Sequence, residues 1–135
     1  MSSSDIQARL AQYGIAATSQ RVEVAEVLLA KPQHLAAEQI LAMLRGKGSR
    51  VSKATVYNTL HLFAEKGLVR ALNIDPTRTF YDSTTHPHHH FYHVDLGQLS
   101  DIPDDQVRIM NLPPLPQGTE LEGVEILVKI RDKSV

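Results

Sequence analysis

From residue 4 to residue 66 the apolar positions recur every three or four residues, the spacing of one helix face. After residue 68 they alternate with polar ones, the spacing of one strand face. A first helix is predicted over residues 4–13, with Ile6 and Leu10 on one side and Gly14 ending it. Thr18 is a good N-cap for a second helix, whose inward residues are Val22, Val24, Ala25, Leu28 and Leu29. It runs through Ala30, and Pro32 stops it. A third helix is predicted from Leu35 to Leu44, with Leu35, Ile40, Leu41 and Leu44 inward and Gly46 and Gly48 breaking the pattern. Ser52 caps a fourth from Lys53 to Lys66, built on Val56, Leu60 and Phe63 and closed by Gly67.

Strand patterning follows. Leu68 to Ile74 and Thr79 to Asp82 read as a hairpin joined by Asp75-Pro-Thr-Arg78. Phe91 to Val94 and Leu99 to Ile102 read as two more short strands around an Asp95-Leu-Gly97 turn. A brief helix is expected at Pro103, a proline-stiffened connector at Leu112–Pro116, and a final strand in the alternation from Glu120 to Arg131. Helix, loop, helix, then hairpin is the order of a winged helix-turn-helix, with the fourth helix entering the major groove. The predicted fold class is α+β: a winged-helix DNA-binding domain over residues 1–82, then a small second domain over 83–135. A sheet so small, with few helices to cover it, favours pairing with a second subunit.

Charge sharpens this division. Residues 1–70 hold nine bases against five acids, a balance of +4, while residues 71–135 hold five bases against ten acids, or −5. The basic half suits a polyanion and the acidic half does not. On the fourth helix, Ser52, Lys53, Thr55, Tyr57, Asn58 and His61 are polar positions among apolar ones. Hydroxyls at a helix start suit phosphate, Tyr57 suits thymine methyls, and Asn58 suits adenine. Arg21 opens the second helix nearby. An amphipathic helix with a solvated polar face accounts for the same pattern.

Five of the seven histidines lie between His86 and His93, and the chain has no cysteine. Imidazoles at this density point to a transition metal or to haem. Thiolate zinc sites, iron–sulfur clusters and disulfides are excluded. In an extended strand His88 and His90 share one face and His89 takes the other. No His-Glu-x-x-His pattern, phosphate loop or nucleophile elbow appears, so the chain is not read as an enzyme. No run of about 20 apolar residues or signal-peptide pattern appears, so no membrane association and a cytoplasmic location are expected. The other reading from composition is a metal-storage or metal-transfer module without a DNA-binding role.

Gly14-Ile-Ala-Ala-Thr-Ser-Gln-Arg21, His34-Leu-Ala-Ala-Glu-Gln-Ile40 and Ser52-Lys-Ala-Thr-Val-Tyr-Asn58 resemble successive blocks of the ferric uptake regulator family. The His-x-His pair, the Asp95-Leu-Gly97 turn and Asp101 follow in the family's order. The resemblance implies a homodimeric regulator that binds double-stranded DNA in response to a divalent metal, with an N-terminal winged helix and a small C-terminal α/β dimerisation and metal- or haem-sensing domain over 83–135. It implies a metal site of His34, Asp82, His88, His90 and Asp101, a donor set suited to Fe(II), Mn(II), Co(II) or Zn(II). The chain departs from many members in having Asn58 after the tyrosine and Ala16-Ala17 in the first block. The family's cysteine zinc site is missing, its first pair falling at His93 and Leu96. Pro87, His89 and Arg108 stand where a further site's ligands would be. His88-His-His-Phe-Tyr and the segment from Asn111 to Ile126 are most similar to the family's iron response regulator branch. That likeness implies haem sensing through His88, His89 and His90, and repression of iron or haem metabolism genes.

Overall fold

A computed structural model describes residues 2–75, 77–86 and 88–134. The chain divides into two compact units, Met1–Thr85 and His86–Val135. The first unit extends a few residues beyond the expected boundary at 82. The Ser83 hydroxyl accepts the Gln33 amide (3.1 Å), the Ser83 amide donates to the Gln33 carbonyl (3.0 Å), and the Thr84 amide donates to Asp82 (2.8 Å). These bonds hold the segment to the first unit. No helix among the described residues is long and apolar enough to cross a membrane.

The first unit has four helices: α1 (Ser3–Gln12), α2 (Ser19–Leu28), α3 (Ala37–Gly46) and α4 (Lys53–Glu65). Thr18 and Ser52 cap α2 and α4, each side chain accepting the amide three residues on. At α3 the N-cap is Ala36, which has no side-chain acceptor, so the Gln39 side chain reaches back and accepts the Ala36 amide at 2.8 Å. The end of α4 is fixed by Gly67 at φ +83°. This left-handed residue lets the Gly67 amide reach the Ala64 carbonyl (3.1 Å) and the Leu68 amide reach that of Phe63 (2.9 Å), a Schellman closure. Ile6, Leu10, Leu28, Ile40, Leu44, Val56, Leu60 and Phe63 are fully buried in one core.

The third helix starts later than its pattern predicts. Leu35 belongs to a strand, β1 (His34–Ala36), where it lies opposite Tyr81. β1 covers the free edge of β3 (Arg78–Asp82), and β3 pairs on its other side with β2 (Arg70–Asp75). The wing is thus a three-stranded antiparallel sheet in the order β1-β3-β2. Leu35 satisfies both patterns because its side chain still packs on the helical core. The turn's Pro76 lies outside the described residues.

The second unit is a mixed sheet of β4 (His89–His93), β5 (Gln98–Ile102) and β6 (Leu127–Ile130), in the order β5-β4-β6. A single 3-10 turn, Asp104–Gln106, follows β5. β4 begins earlier than predicted and takes in His89 and His90. β6 is shorter than the alternation from Glu120 suggests. It pairs in parallel with β4 from His90↔Leu127 to His93↔Ile130, and the length of β4 limits it. Just before β6, the Ile126 amide donates to His89 Nδ1 (2.9 Å).

Candidate metal centre and nucleic-acid interface

In the second unit the strand pairing sets His90 directly opposite Asp101. His88 lies two residues before His90, and the two rings approach to 4.2 Å between centroids. Asp101 Oδ1 lies 3.1 Å from His88 Nε2 and 3.4 Å from His90 Nε2. The two imidazoles are buried while the Asp101 side chain is 63% exposed, so the group opens to solvent through its carboxylate.

A hydrogen bond at the other ring nitrogen orients His88 toward Asp101. His88 Nδ1 lies 3.0 Å from the His86 carbonyl, which can only accept. Nδ1 therefore carries a proton, and in the neutral form of the ring the Nε2 lone pair faces Asp101. A lone pair facing a carboxylate oxygen is repulsive unless a proton or metal ion lies between them. Orientation of a ligating imidazole through its other nitrogen is the usual support of such sites. The residues present fit a divalent ion of borderline hardness.

In the first unit, His34 and Asp82 are cross-strand partners on β1 and β3. Asp82 is buried, and its Oδ1 accepts the Thr84 amide at 2.8 Å. The strand register sets His34 opposite Asp82 in the first unit, though no group of converging ligand atoms among the described residues includes His34; in the second unit His88, His90 and Asp101 converge. His89 stands apart. It occupies the opposite face of β4, and its Nδ1 is engaged by the Ile126 amide. The strand thus divides the triplet between its two faces.

A second histidine–carboxylate group holds the far end of the sheet. His93, Asp95 and Asp132 bring one ligand-capable atom each to within 4.8 Å of one another. The Leu96 amide donates to His93 Nδ1 (3.1 Å), which leaves the proton on Nε2 to be donated to Asp132 Oδ1 (2.9 Å). Asp95 Oδ2 accepts the Asp132 amide (3.0 Å). Both ring nitrogens of His93 are spent on hydrogen bonds, and the group is a clasp between the β4–β5 turn and the segment after β6. Pro87, at one of the erased positions of the further site, lies outside the described residues.

The candidate DNA surface lies on α4. Ser52 Oγ accepts the Thr55 amide (3.1 Å) and donates to the Thr55 hydroxyl (2.9 Å), so both hydroxyls are organised around the helix start. Thr55 and Asn58 line a recess of about 280 Å³ with Thr18, Gln20, Arg21, Thr59 and Leu62. Arg21 Nη1 donates to the Ala16 carbonyl (2.9 Å), which aims the guanidinium along the recess wall. Lys53 Nζ lies 5.7 Å from the Tyr57 ring centroid. The Tyr57 hydroxyl donates to Glu38 Oε1 on α3 at 2.9 Å. The Glu38 carboxyl is held below the usual carboxylate range by its own backbone amide first and then by Tyr57, with Arg78 and Lys53 adding to this. That bond in turn raises the Tyr57 phenol above its ordinary value. Sequence reasoning missed Glu38. Its one signal was an acid in the first turn of a helix, a placement the helix dipole alone explains.

The profile of the ferric uptake regulator family matches residues 12–126. Among curated relatives, the chain is 35% identical to a peroxide operon regulator of Bacillus subtilis (strain 168). That match covers 69% of this chain and 64% of the relative. It is 31% identical to the peroxide-responsive repressor PerR of Staphylococcus epidermidis, over 70% of this chain and 63% of the relative. The matched region thus spans under two thirds of these relatives' length. Among solved structures, the ferric uptake regulator of Pseudomonas aeruginosa with manganese superposes with a TM-score of 0.72 at 27% identity. It covers 95% of this chain and 98% of that one. That of Vibrio cholerae superposes with a TM-score of 0.75 at 23% identity, over 93% of this chain and 98% of that one, and shares the fold.

Proposed function

The chain belongs to the ferric uptake regulator family, and from that premise we propose that it is a metal-responsive DNA-binding transcriptional repressor. The observation that carries the proposal is the convergence of His88 Nε2 and His90 Nε2 on one Asp101 oxygen, with the His88 ring oriented through its Nδ1 by the His86 carbonyl. A divalent cation would be held there by the two imidazole nitrogens and the carboxylate oxygen. His34 and Asp82, matched through the sequence motifs, are proposed as further ligands. On the DNA side, Lys53 and Arg21 are proposed to meet phosphates, Ser52 and Thr55 to order the helix start against them, and Tyr57 and Asn58 to read base edges.

Fe(II) or Mn(II) is the proposed signal, Zn(II) being compatible with the same donors. Manganese occurs in the solved regulator from Pseudomonas aeruginosa. The split of the histidine triplet across two faces of β4 favours a divalent ion over haem as the primary input. The genes of iron metabolism are the proposed targets. A homodimer is proposed through the second unit, where Phe91, Val128 and Ile130 share one sheet face and remain more than a third exposed.

The test is selection of DNA sites from random sequence by the protein in four states: metal-free, with Fe(II), with Mn(II) and with haem. Binding tightened by Fe(II) or Mn(II), and lost on replacing His88 and His90 together by alanine, is the expected result. Tight binding relieved by haem would move the signal to the triplet. Metal binding without enrichment of any sequence would leave a metal-transfer module.

A further inference from the structure

Tyr57 stands in the middle of the proposed reading helix, yet its hydroxyl is already committed. A phenol has one proton and an oxygen that can also accept. In this chain the proton goes to Glu38 Oε1 at 2.9 Å. Glu38 is itself fixed: it is the second residue of α3, where its carboxylate faces the helix N-terminus and lies near the cations Arg78 and Lys53. It lines a cleft with Tyr57, Thr77, Arg78, Thr79 and Tyr81, between the reading helix and the wing.

We propose that Glu38 is a specificity-determining positioning residue that converts Tyr57 from a phosphate ligand into a reader of base edges. The argument is one of donors and acceptors. A phosphate oxygen only accepts, so a tyrosine contacts it by donating its hydroxyl proton. With that proton held by Glu38, the Tyr57 oxygen is left as an acceptor. The partners that suit it in the major groove are exocyclic amino groups, N4 of cytosine or N6 of adenine, while the ring edge remains available to a thymine methyl. The carboxylate also sets a negative charge beside the ring, which disfavours a phosphate at that point. Lys53, whose Nζ lies 5.7 Å from the ring centroid, supplies a cation for the backbone.

This inference rests on the DNA-binding reading above, and the test separates the two. The protein, charged with Mn(II), is taken through site selection as wild type, E38A, E38Q and Y57F. Affinities for the selected site and for unrelated DNA are then measured. In E38A the phenol proton is released to phosphate. Affinity for unrelated DNA should rise, and preference at one base position should flatten, lowering the specificity ratio about 3- to 10-fold, the scale of one hydrogen bond. E38Q keeps a carbonyl acceptor for the phenol and should keep the preference. Y57F should flatten the same position, and Y57F combined with E38A should do no more than Y57F alone. A general packing role for Glu38 would not act on a single base position, and its loss would not be masked by Y57F. An E38A ratio within twofold of wild type overturns the inference, as does an E38Q profile as flat as that of E38A. Glu38 is solvent-exposed, so E38A should fold. Should its thermal midpoint collapse, E38Q and Y57F decide the matter, the inference failing if Y57F leaves base preference unchanged. Enrichment of no sequence by the wild type overturns the DNA-binding reading itself and this inference with it.

Discussion

Replacing Ser52 separates the folding role of the α4 cap from its proposed place against DNA. Ser52 Oγ accepts the Thr55 amide at 3.1 Å and donates to the Thr55 hydroxyl at 2.9 Å. S52A removes both bonds, and loss of such a cap costs about 1 kcal/mol. In the first unit, about 85 residues long, that corresponds to a fall in midpoint of about 4–8 °C. S52G, which keeps the backbone preference of a cap, should cost only a few tenths of a kcal/mol. S52D is the informative variant. Aspartate caps a helix as well as serine does, so its thermal midpoint should match wild type. On DNA, however, it sets a negative charge where a phosphate is expected. At a separation of about 6 Å in water-like surroundings, the repulsion is about 0.7 kcal/mol for each phosphate, or about threefold in affinity. Two or three phosphates give about tenfold or more, rising as salt is lowered. Thermal unfolding and fluorescence-anisotropy titration, run on the same preparations at two salt concentrations, measure the two effects side by side. S52D binding DNA as tightly as wild type at low salt would refute the placement of the α4 N-terminus at the phosphates. S52A with an unchanged midpoint would refute the cap energetics.

Further outcomes follow from other parts of the molecule. D101N, which turns a charged acceptor shared by His88 and His90 into a neutral amide, should weaken Mn(II) binding by at least tenfold in a calorimetric titration without moving the metal-free thermal midpoint by more than a degree or two, because the side chain is exposed. F63A should cost about 3–5 kcal/mol in urea unfolding, since Phe63 is completely buried among the four helices. The lowered Glu38 carboxyl contributes stability that is present above the ordinary carboxylate range and is lost as pH falls through its depressed value. The acid limb of a pH–stability profile should therefore be shallower in Y57F than in wild type. H93A should release the segment after β6, seen as faster amide exchange at Asp132 and Leu96, whose amides this clasp holds directly or through Asp95.

The helices were legible in sequence because their caps and stops are local. Thr18, Ser52 and Gly67 each act within a turn of the helix they bound, and the periodicity of Val56, Leu60 and Phe63 needs no knowledge of what lies opposite. β1 was not legible. Leu35 fits a helical face, and only the open edge of β3, fixed more than forty residues later in the chain, turns it into a strand residue. The same holds for β6, whose alternation runs on past the length its partner β4 allows. Within the candidate site, two-residue periodicity was enough to place His88 and His90 together and His89 apart. It could not supply the His86 carbonyl that fixes the His88 tautomer, nor the Glu38–Tyr57 bond. Both depend on backbone paths and helix crossings that no spacing rule encodes. His93 shows the converse: as a residue type it reads as a ligand, and its two neighbours on the ring nitrogens make it a fastener.

The way β6 joins its sheet also bears on the order of assembly. The helices of the first unit form from contacts between near neighbours in sequence, which close quickly. The β4–β6 ladder joins His90 to Leu127 and must wait for a long loop to close before any of its bonds form. On a ribosome the helical unit can therefore be complete while β4 still has a vacant edge, carrying its histidines beside unpaired amides and carbonyls. Synthesis of Leu127–Ile130 is what seals that edge, so the unit that holds His88, His90 and Asp101 is the one whose yield is most exposed to premature termination.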